Sequence, residues 1–385
     1  MTIPKIARNA LFILGSLLKR PHSKHNLDSC LLQLPPELIL YIADFLSPSD
    51  LILFSQTCYP LRAILQKYIN TVKLSRTEYL SYLAAHARED PRKWVCGKCM
   101  TLHPVVGLDT PAANLQRSSC PRRSHGEIRY DNRLYYGQIR LEHHHIQLAL
   151  KYTRLQKYKY NSYLRALLAP HYDPNFSPRN NAQLKTHYSA YPKIATAHNG
   201  NLTFLLLSTW RYHKGLGNIS FDNIGYLPIC PHVMIHPFRT WGPHDPSYGL
   251  QEALKMVLGA KGDRQEHTGA CPRCATDFSV RLNPRFLDLH VWQDFGPEGS
   301  PGDLAWETHC DGIGLDGVPN CGDWGHILYH EPGTIRKLYG DYGKCESQAV
   351  GARLANKAMG IFNQMGLEGS LLSKPATANH EVPKL

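Results

Sequence analysis

The 385-residue chain carries 43 Lys and Arg against 31 Asp and Glu, which gives a formal net charge of +12. Hydrophobic residues make up 43% of it, enough for one large core or two smaller ones. Eleven cysteines is an odd number, and no cleavable secretory signal is recognisable. A disulfide framework is therefore not expected, and the composition favours a reducing compartment, the cytoplasm or the nucleus.

The two ends of the chain differ in composition from the middle. Residues 1–29 are basic, with no acidic residue before Asp28, and we expect a disordered arm. The apolar run at residues 11–18 is too short to cross a bilayer, so no transmembrane segment is expected there. Residues 346–385 are expected to hold a last helix and a disordered tail.

Residues 30–70 carry the clearest local signals, beginning with the start of a first helix. Pro35 and Pro36 suit a first helical turn, where no backbone N–H is needed, and Glu37 there faces the positive helix end. Apolar residues then recur at three- and four-residue spacing as far as Leu46. The pattern predicts an amphipathic helix.

Two further helix starts follow within the same stretch. Ser47 can cap a second helix that opens at Pro48, with the carboxylate of Asp50 placed to reach back to the cap N–H. Pro60 allows a third helix to begin. The sequence therefore predicts three short helices in about forty residues, which is below the size that usually folds unaided.

So small a unit must bury part of its apolar surface against something else. The stretch resembles an F-box, a family whose members dock these helices onto a Skp-type adaptor and, through it, a cullin ubiquitin ligase. The resemblance implies adaptor contacts from Leu34, Pro35, Ile39, Ile42, Phe45, Leu46 and Leu51. It departs from the family at Leu61, where many F-boxes carry Trp. The alternative is a helical corner whose apolar face packs on the rest of this chain.

Beyond the three helices the sequence predicts a connecting helix and one larger domain. Ser75 and Glu78 have the spacing of a capping box, which places a helix within residues 71–92. Residues 93–345 mix helix and strand patterns with Cys and His, and predict an α+β domain supported by structural zinc. Within it, residues 134–168 read as helical and residues 170–200 as irregular.

Strand patterns are clearest in the middle of this domain. Residues 202–207 read as a buried strand, and residues 276–282 and 286–292 alternate on either side of an Asn-Pro-Arg turn, which predicts a hairpin. Three consecutive histidines, at residues 143–145, would point in different directions on a helix. No shared metal site is expected from them.

Two C-x-x-C pairs point to metal binding, because that spacing lets two thiolates hold one Zn²⁺ from a tight turn. The preferred site combines Cys230, His232, Cys271 and Cys274, with His236 as an alternative to His232. A second possible site combines Cys96, Cys99, Cys120 and His125, with His103 as another ligand. A single ion shared by both pairs is the third arrangement, and the sequence does not choose among them.

The function predicted from these patterns is binding rather than catalysis. The cysteine segments also resemble parts of fungal F-box proteins of unassigned activity, which implies a domain that recruits a protein substrate. No P-loop, nucleophile elbow, zincin or dinucleotide motif occurs, so no active site is predicted. The alternative is a zinc-supported nucleic-acid-binding protein, motivated by the basic charge. Because the cations are dispersed, nucleic acid is the less favoured partner.

Overall fold

The computed structural model describes residues 29–107, 109–111, 120, 139, 141–177, 184–214, 219–236, 239–259, 266–310 and 326–340. The predicted arm, last helix and tail lie outside these ranges, apart from residue 29. The chain divides into two compact units: unit 1 comprises residues 1–105 and 299–303, and unit 2 comprises residues 106–298 and 304–385. Helix and sheet occur together, with the helical segment first, which confirms the predicted α+β class.

The described part of unit 1 begins with a 3-10 turn at Cys30–Gln33 and continues with four helices and a hairpin. The helices are α1 (Pro36–Ala43), α2 (Pro48–Gln56), α3 (Tyr59–Thr71) and α4 (Arg76–Arg88), followed by β1 (Lys93–Cys96) and β2 (Thr101–Pro104). Ala43, Leu51 and Leu65 form the core of the first three helices. A second cluster, around Leu80 and Leu83, joins α4 to the hairpin.

The predicted caps account for the helix starts. The backbone N–H of Asp50 donates to Ser47 Oγ at 3.2 Å, so Ser47 caps α2 as predicted. The Asp50 carboxylate accepts from the Ser47 hydroxyl at 2.7 Å rather than from its backbone N–H. Ser75 and Glu78 form a complete capping box at the start of α4, as predicted. Each cap satisfies backbone donors that the first helical turn leaves without intrahelical partners.

The β1–β2 hairpin lies with the helices of unit 1, although the sequence analysis placed it at the start of the larger domain. Its turn is tight, with Met100 at a φ of 52°. Gly97 in that turn lies so close to Pro301 that an added Cβ would come within 2.9 Å of the proline Cβ. A side chain at this position would push the turn away from its neighbour.

Unit 2 is built on an antiparallel sheet in the order β3-β4-β5-β10-β9-β8. These strands are β3 (His171–Phe176), β4 (Thr186–Thr196), β5 (Leu202–His213), β8 (Glu266–Ala270), β9 (Thr276–Leu282) and β10 (Phe286–Pro297). A separate two-stranded ribbon pairs β6 (Leu227–Pro228) with β7 (Met234–Ile235). The predicted strand at residues 202–207 lies within β5, and the predicted hairpin is β9–β10.

The expectation of irregular structure at residues 170–200 was wrong, because β3 and β4 occupy most of that range. The prolines there misled the prediction, since the two that fall within strands lie where a strand tolerates them. Pro174 falls at a register shift in edge strand β3. Pro192 lies beyond Ala190, the last β4 residue paired with β3, where β4 has a partner strand on the β5 side alone. Pairing with β5 along all of β4 outweighs the local turn propensity.

Helices cover parts of the sheet in unit 2. They are α5 (His143–Leu155), α6 (Asn161–Leu167), α7 (Phe221–Ile224), α8 (Tyr248–Gly259), α9 (Leu304–Cys310) and α10 (Thr334–Tyr339). Tyr188 and Trp210 are neighbours in the register and fully buried. Residues 304–310 form α9, in which Trp306 is buried against Phe295.

Candidate functional site

Helix α1 and the turn that follows it expose a stripe of large apolar side chains. Leu38, Tyr41, Ile42 and Phe45 are 48%, 62%, 37% and 74% exposed. Their spacing of three, four and seven residues places them on one side of the helix. The Tyr41 and Phe45 rings contact each other edge to face, with centroids 5.1 Å apart. We call these four residues the α1 face.

The opposite side of α1 packs into the bundle, so this short helix is apolar on two sides. Ile39 is 1% exposed and Ala43 is 3% exposed. Leu51 of α2 is 7% exposed and belongs to the same core as Ala43. A side chain with so little accessible area offers a partner almost nothing to contact.

The predicted adaptor residues therefore divide by burial. Pro35, Ile42 and Phe45 are exposed, whereas Leu34 and Leu46 are half-buried. Ile39 and Leu51 lie in the interior and pack there, and the adaptor contacts implied for them stay a prediction. The sequence analysis missed Leu38 and Tyr41. Their three- and four-residue offsets from Ile42 and Phe45 were the signal that could have identified them.

In unit 2, the four residues of the preferred metal site meet at two tight turns. Cys230 and His232 lie in the turn between β6 and β7, where the N–H groups of Ile229 and Cys230 donate to Val233 O. Cys271 and Cys274 lie in the turn between β8 and β9. All four side chains are buried, and their ligand atoms lie within 4.8 Å of one another.

The geometry suits a tetrahedral ion with mixed sulfur and nitrogen ligands. Cys271 Sγ is 3.7 Å from His232 Nδ1. Zn–S bonds of about 2.3 Å and Zn–N bonds of about 2.0 Å at a tetrahedral angle would separate these atoms by about 3.6 Å. The backbone N–H of Arg273 also points at Cys271 Sγ, at 3.4 Å, and would stabilise negative charge on the sulfur.

The charge balance of this cluster favours a bound cation. Burial raises the pKa of the Cys230 thiol and of the Cys274 thiol. Burial also opposes ionisation of Cys271, but hydrogen bonds from Cys230, Cys274 and His232 hold the pKa of its thiol well below the usual value. One thiolate is thus stabilised by its neighbours. A divalent ion would supply the charge that lets the other two ionise as well.

The other candidate for the histidine ligand has different neighbours. His236 packs edge to face on Tyr226 and Trp241, with ring centroids 5.7 and 6.4 Å away. Of the two candidates, His232 is the one grouped with the cysteines.

A second group lies in the hairpin of unit 1. The ligand atoms of Cys96, Cys99 and His103 lie within 4.8 Å of one another. The backbone N–H of Cys99 points at Cys96 Sγ at 3.5 Å, as in a metal-binding turn. Of the two further ligands predicted, Cys120 is a buried residue of unit 2 and His125 lies outside the described residues. His103, the alternative ligand, is the histidine found with this pair.

A buried carboxylate joins two of the three consecutive histidines, which was not expected. Asp109 Oδ2 lies 3.1 Å from His144 Nε2, and Asp109 Oδ1 lies 3.2 Å from His145 Nε2. His143 points elsewhere, towards Gln147 and the Trp306 ring. Asp109 lies 35 residues upstream of His144, and no local pattern linked it to them.

Distances alone would allow a metal ion here, but the hydrogen bonds indicate that the histidine nitrogens facing Asp109 carry protons instead. The backbone N–H of Glu142 donates to His145 Nδ1 at 3.1 Å, so the Nε2 of the neutral ring carries the proton and donates it to Asp109. A metal ion would need that nitrogen unprotonated.

Hydrogen bonds and neighbouring charges shift the pKa values of His144 and Asp109 in this cluster. Burial lowers the pKa of His144, but hydrogen bonds to Asp109 and Glu142 on its two nitrogens raise it overall. Burial also opposes ionisation of Asp109, yet the two histidines hold its pKa far below the usual value. The arrangement is a charged, hydrogen-bonded cluster that ties residue 109 to α5.

Comparison with known proteins identifies one part of the chain. The F-box domain model matches residues 31–73, which span α1, α2 and α3. No curated protein and no solved structure matches the chain. Within the described ranges, no helix has the length and apolar character needed to cross a membrane. The first three helices, with their exposed α1 face, are therefore an F-box domain.

Proposed function

We propose that this protein is a non-catalytic substrate receptor of an SCF-type cullin ubiquitin ligase. Its F-box would bind a Skp-type adaptor, and unit 2 would recruit the protein to be ubiquitinated. The observation that supports this most directly is the F-box match together with the exposed α1 face. In this proposal catalysis belongs to other subunits of the ligase, and the chain supplies recognition only.

The α1 face has the properties of a docking helix. Fully burying one large apolar side chain contributes about 1.5–3 kcal/mol, so leaving four of them exposed on α1 and the turn after it is costly without a partner. A stripe at three- and four-residue spacing is the pattern by which an amphipathic helix enters a groove. Phe45 is the most exposed of the four and an aromatic residue, the kind that anchors interfaces.

Zinc would have a structural role in the recruiting unit. Cys230, His232, Cys271 and Cys274 supply four ligands and leave no open position for a substrate, as in closed structural sites. The ion would join the β6–β7 turn to the β8–β9 turn. Cys96, Cys99 and His103 supply three ligands of a second site in the hairpin of unit 1.

The test is capture of the full chain by a Skp-type adaptor, comparing wild type with Phe45→Asp. We expect the variant to bind at least about thirtyfold more weakly, the loss that corresponds to about 2 kcal/mol at an interface anchor. Tyr158→Asp is the matched control, because Tyr158 is 87% exposed and lies in unit 2. Its affinity for the adaptor should equal that of wild type.

Thermal unfolding of each variant shows whether lost binding reflects lost folding. Phe45→Asp should melt at the wild-type temperature, because the side chain it replaces is mostly exposed. Undiminished capture by Phe45→Asp, or no capture by wild type, would refute adaptor docking through the α1 face.

A further inference from the structure

One end of the unit 2 sheet concentrates positive charge. There the register pairs Thr186 with Tyr212, Phe286 with His213 and Leu287 with Leu282, so the ends of β4, β5, β10 and β9 lie side by side. Five cations lie at this end: Lys185, Arg211, Lys214, Arg281 and Arg285. We call these five residues the basic end.

Backbone hydrogen bonds hold the outermost three of these residues close together. The N–H of His213 donates to Lys185 O at 2.9 Å, and the N–H of the next residue, Lys214, donates to Arg285 O at 2.9 Å. Lys185, Lys214 and Arg285 are all exposed. Their charges therefore share one small region of surface that solvent can reach.

The carboxylates at this end are already engaged by arginines. Asp288 lies between Arg211 and Arg281, at 2.7 and 3.2 Å. Glu266, opposite Arg281 in the register, pairs with Arg336 of α10 at 3.0 Å. Among the described residues, no ion pair involves the three exposed cations. The basic end is thus left with an excess of positive charge.

The excess of positive charge also affects the pKa of a neighbouring histidine. The pKa of His213 is lowered, first by burial and then by the charges of Arg211 and Lys185. Protonating the ring would add a further charge to a region that is already positive.

We propose that the basic end binds a carboxylate-rich segment, a run of Asp and Glu, on the protein that this receptor recruits. The inference rests on the proposed receptor role and names the chemistry of the target. Charge complementarity is the main support for the proposal, because the exposed cations face solvent without carboxylate partners among the described residues.

The spread of the cations favours a run of carboxylates over a single phosphate group. Four strands at a spacing of about 4.8 Å extend over about 14 Å. A single phosphate would require the cations to converge on one point. An extended segment rising about 3.3 Å per residue covers that distance in four or five residues, so the alternate acidic side chains that face the sheet can each meet a cation.

Nucleic acid is a poorer fit to the same surface. Single strands are held by cations combined with exposed aromatic faces on which the bases stack. Tyr212 at this end is buried. Phe286 has the Arg211 guanidinium over its face at 4.4 Å, and His213 lies 6.4 Å from it. The ring is therefore engaged by its own neighbours.

The experiment measures binding of a labelled all-Glu peptide to the full chain by fluorescence anisotropy. The test variant is Lys185→Glu, Lys214→Glu, Arg285→Glu. The matched control reverses three other exposed cations of unit 2, as Lys157→Glu, Lys159→Glu, Arg165→Glu, so that both triple variants have the same net charge. We expect the test variant to lose affinity by about tenfold or more, as three exposed ion pairs would predict, and the control to bind as wild type.

Three further probes separate the possible ligands. An all-Gln peptide should not bind. A peptide with a single phosphoserine and no other acid should bind more weakly than the all-Glu peptide. Oligouridine should bind more weakly than the peptide at equal charge; tighter binding that is lost in the test variant would overturn the proposal in favour of nucleic acid. Equal peptide binding by the two triple variants would also overturn it.

Adaptor capture in the same proteins separates this inference from the receptor role. The test variant should capture a Skp-type adaptor like wild type, and Phe45→Asp should bind the all-Glu peptide like wild type. Absence of peptide binding with capture intact overturns the acidic-target inference alone. Absence of capture with peptide binding intact overturns the receptor role alone.

Discussion

The α1 face and the basic end are two surfaces built on opposite principles. The α1 face gathers four large apolar side chains on one short helix and the turn after it, and a partner would be held there by removing them from water. The basic end sits on a sheet that buries its central aromatic residues, such as Trp210, and offers charge to solvent instead. Adaptor binding should therefore tolerate salt, whereas binding of an acidic segment should weaken as salt is added.

The two units also differ in what stabilises them. Unit 1 relies on helix caps and on a core drawn from neighbouring helices, with Leu65 fully buried. Unit 2 pairs strands that are far apart in the chain and gathers three buried cysteines and a histidine at two turns. A perturbation of that cluster should therefore affect unit 2 first.

The largest expected effect comes from removing a ligand of the buried cluster. Protein purified without a His-tag should contain zinc, and Cys271→Ser should lower the zinc content by one ion per chain. Because structural zinc contributes on the order of 10 kcal/mol to folding, unit 2 should lose its fixed tertiary structure. Elemental analysis gives the metal content, and near-ultraviolet circular dichroism of the full chain reports the packing of the aromatic residues.

Cys30→Ser is the control for that substitution, because Cys30 is exposed and stands outside the cysteine clusters. It should leave both the zinc content and the spectrum unchanged. Wild-type zinc content in Cys271→Ser would show that the cluster does not bind the metal through this sulfur.

The second effect separates the two sides of α1. Ile39→Ala should lower the free energy of unfolding of unit 1 by about 2–5 kcal/mol, because it opens a cavity in a closed core. Phe45→Ala should lower it by no more than about 0.5 kcal/mol, because the ring is 74% exposed. Urea unfolding followed by circular dichroism measures both, and similar losses in the two variants would contradict the assignment of the two sides.

The third effect, similar in size to the second, is a difference in pH dependence between the units. Burial lowers the pKa of His143 to about 3, and burial followed by the charge of His144 lowers that of His145 to about 4. The unfolded chain binds protons at these positions below pH 6.5 and the folded chain does not. Unit 2 should therefore lose stability from pH 6.5 down to about 4, by about 1 kcal/mol per pH unit for each histidine.

His144 acts in the opposite direction, because its pKa is raised in the folded state. Its contribution is complete below pH 6.5 and is lost as the pH rises through the raised value. In unit 1, His86 also has a lowered pKa but is only half-buried, so the acid loss there should be smaller. Urea midpoints at pH 7 and pH 5 test this, and His143→Asn should reduce the slope. A flat profile for unit 2 would contradict it.

Local signals account for what could be predicted of the fold. The helix starts at Pro48 and Arg76 follow from caps whose donors and acceptors lie three residues apart. The β9–β10 hairpin follows from alternation on both sides of a three-residue turn. Strands β3 and β4 were not predicted because their stability comes from pairing, of β3 with β4 and of β4 with β5, rather than from their own composition.

The same distinction applies to the sites. Cys271 and Cys274 form a pair in the sequence itself, and their meeting with Cys230 depends on folding over some 40 residues, which spacing alone does not establish. The contact of Asp109 with the two histidines was not predicted, because no sequence pattern near a single carboxylate identifies its partners. The burial of Ile39 beside the exposure of Leu38 needed the packing of α1 on α3, which helical periodicity only outlines.

The pairing of β5 with β10 has a consequence for synthesis on the ribosome. Strand β5 finds its partner on one side at once, since β4 precedes it, but its other edge pairs with a strand that begins only at Phe286. While the intervening residues are being translated, that apolar edge of β5 has unsatisfied backbone donors and acceptors. The nascent chain thus exposes its most aggregation-prone surface before β10 exists to close the sheet.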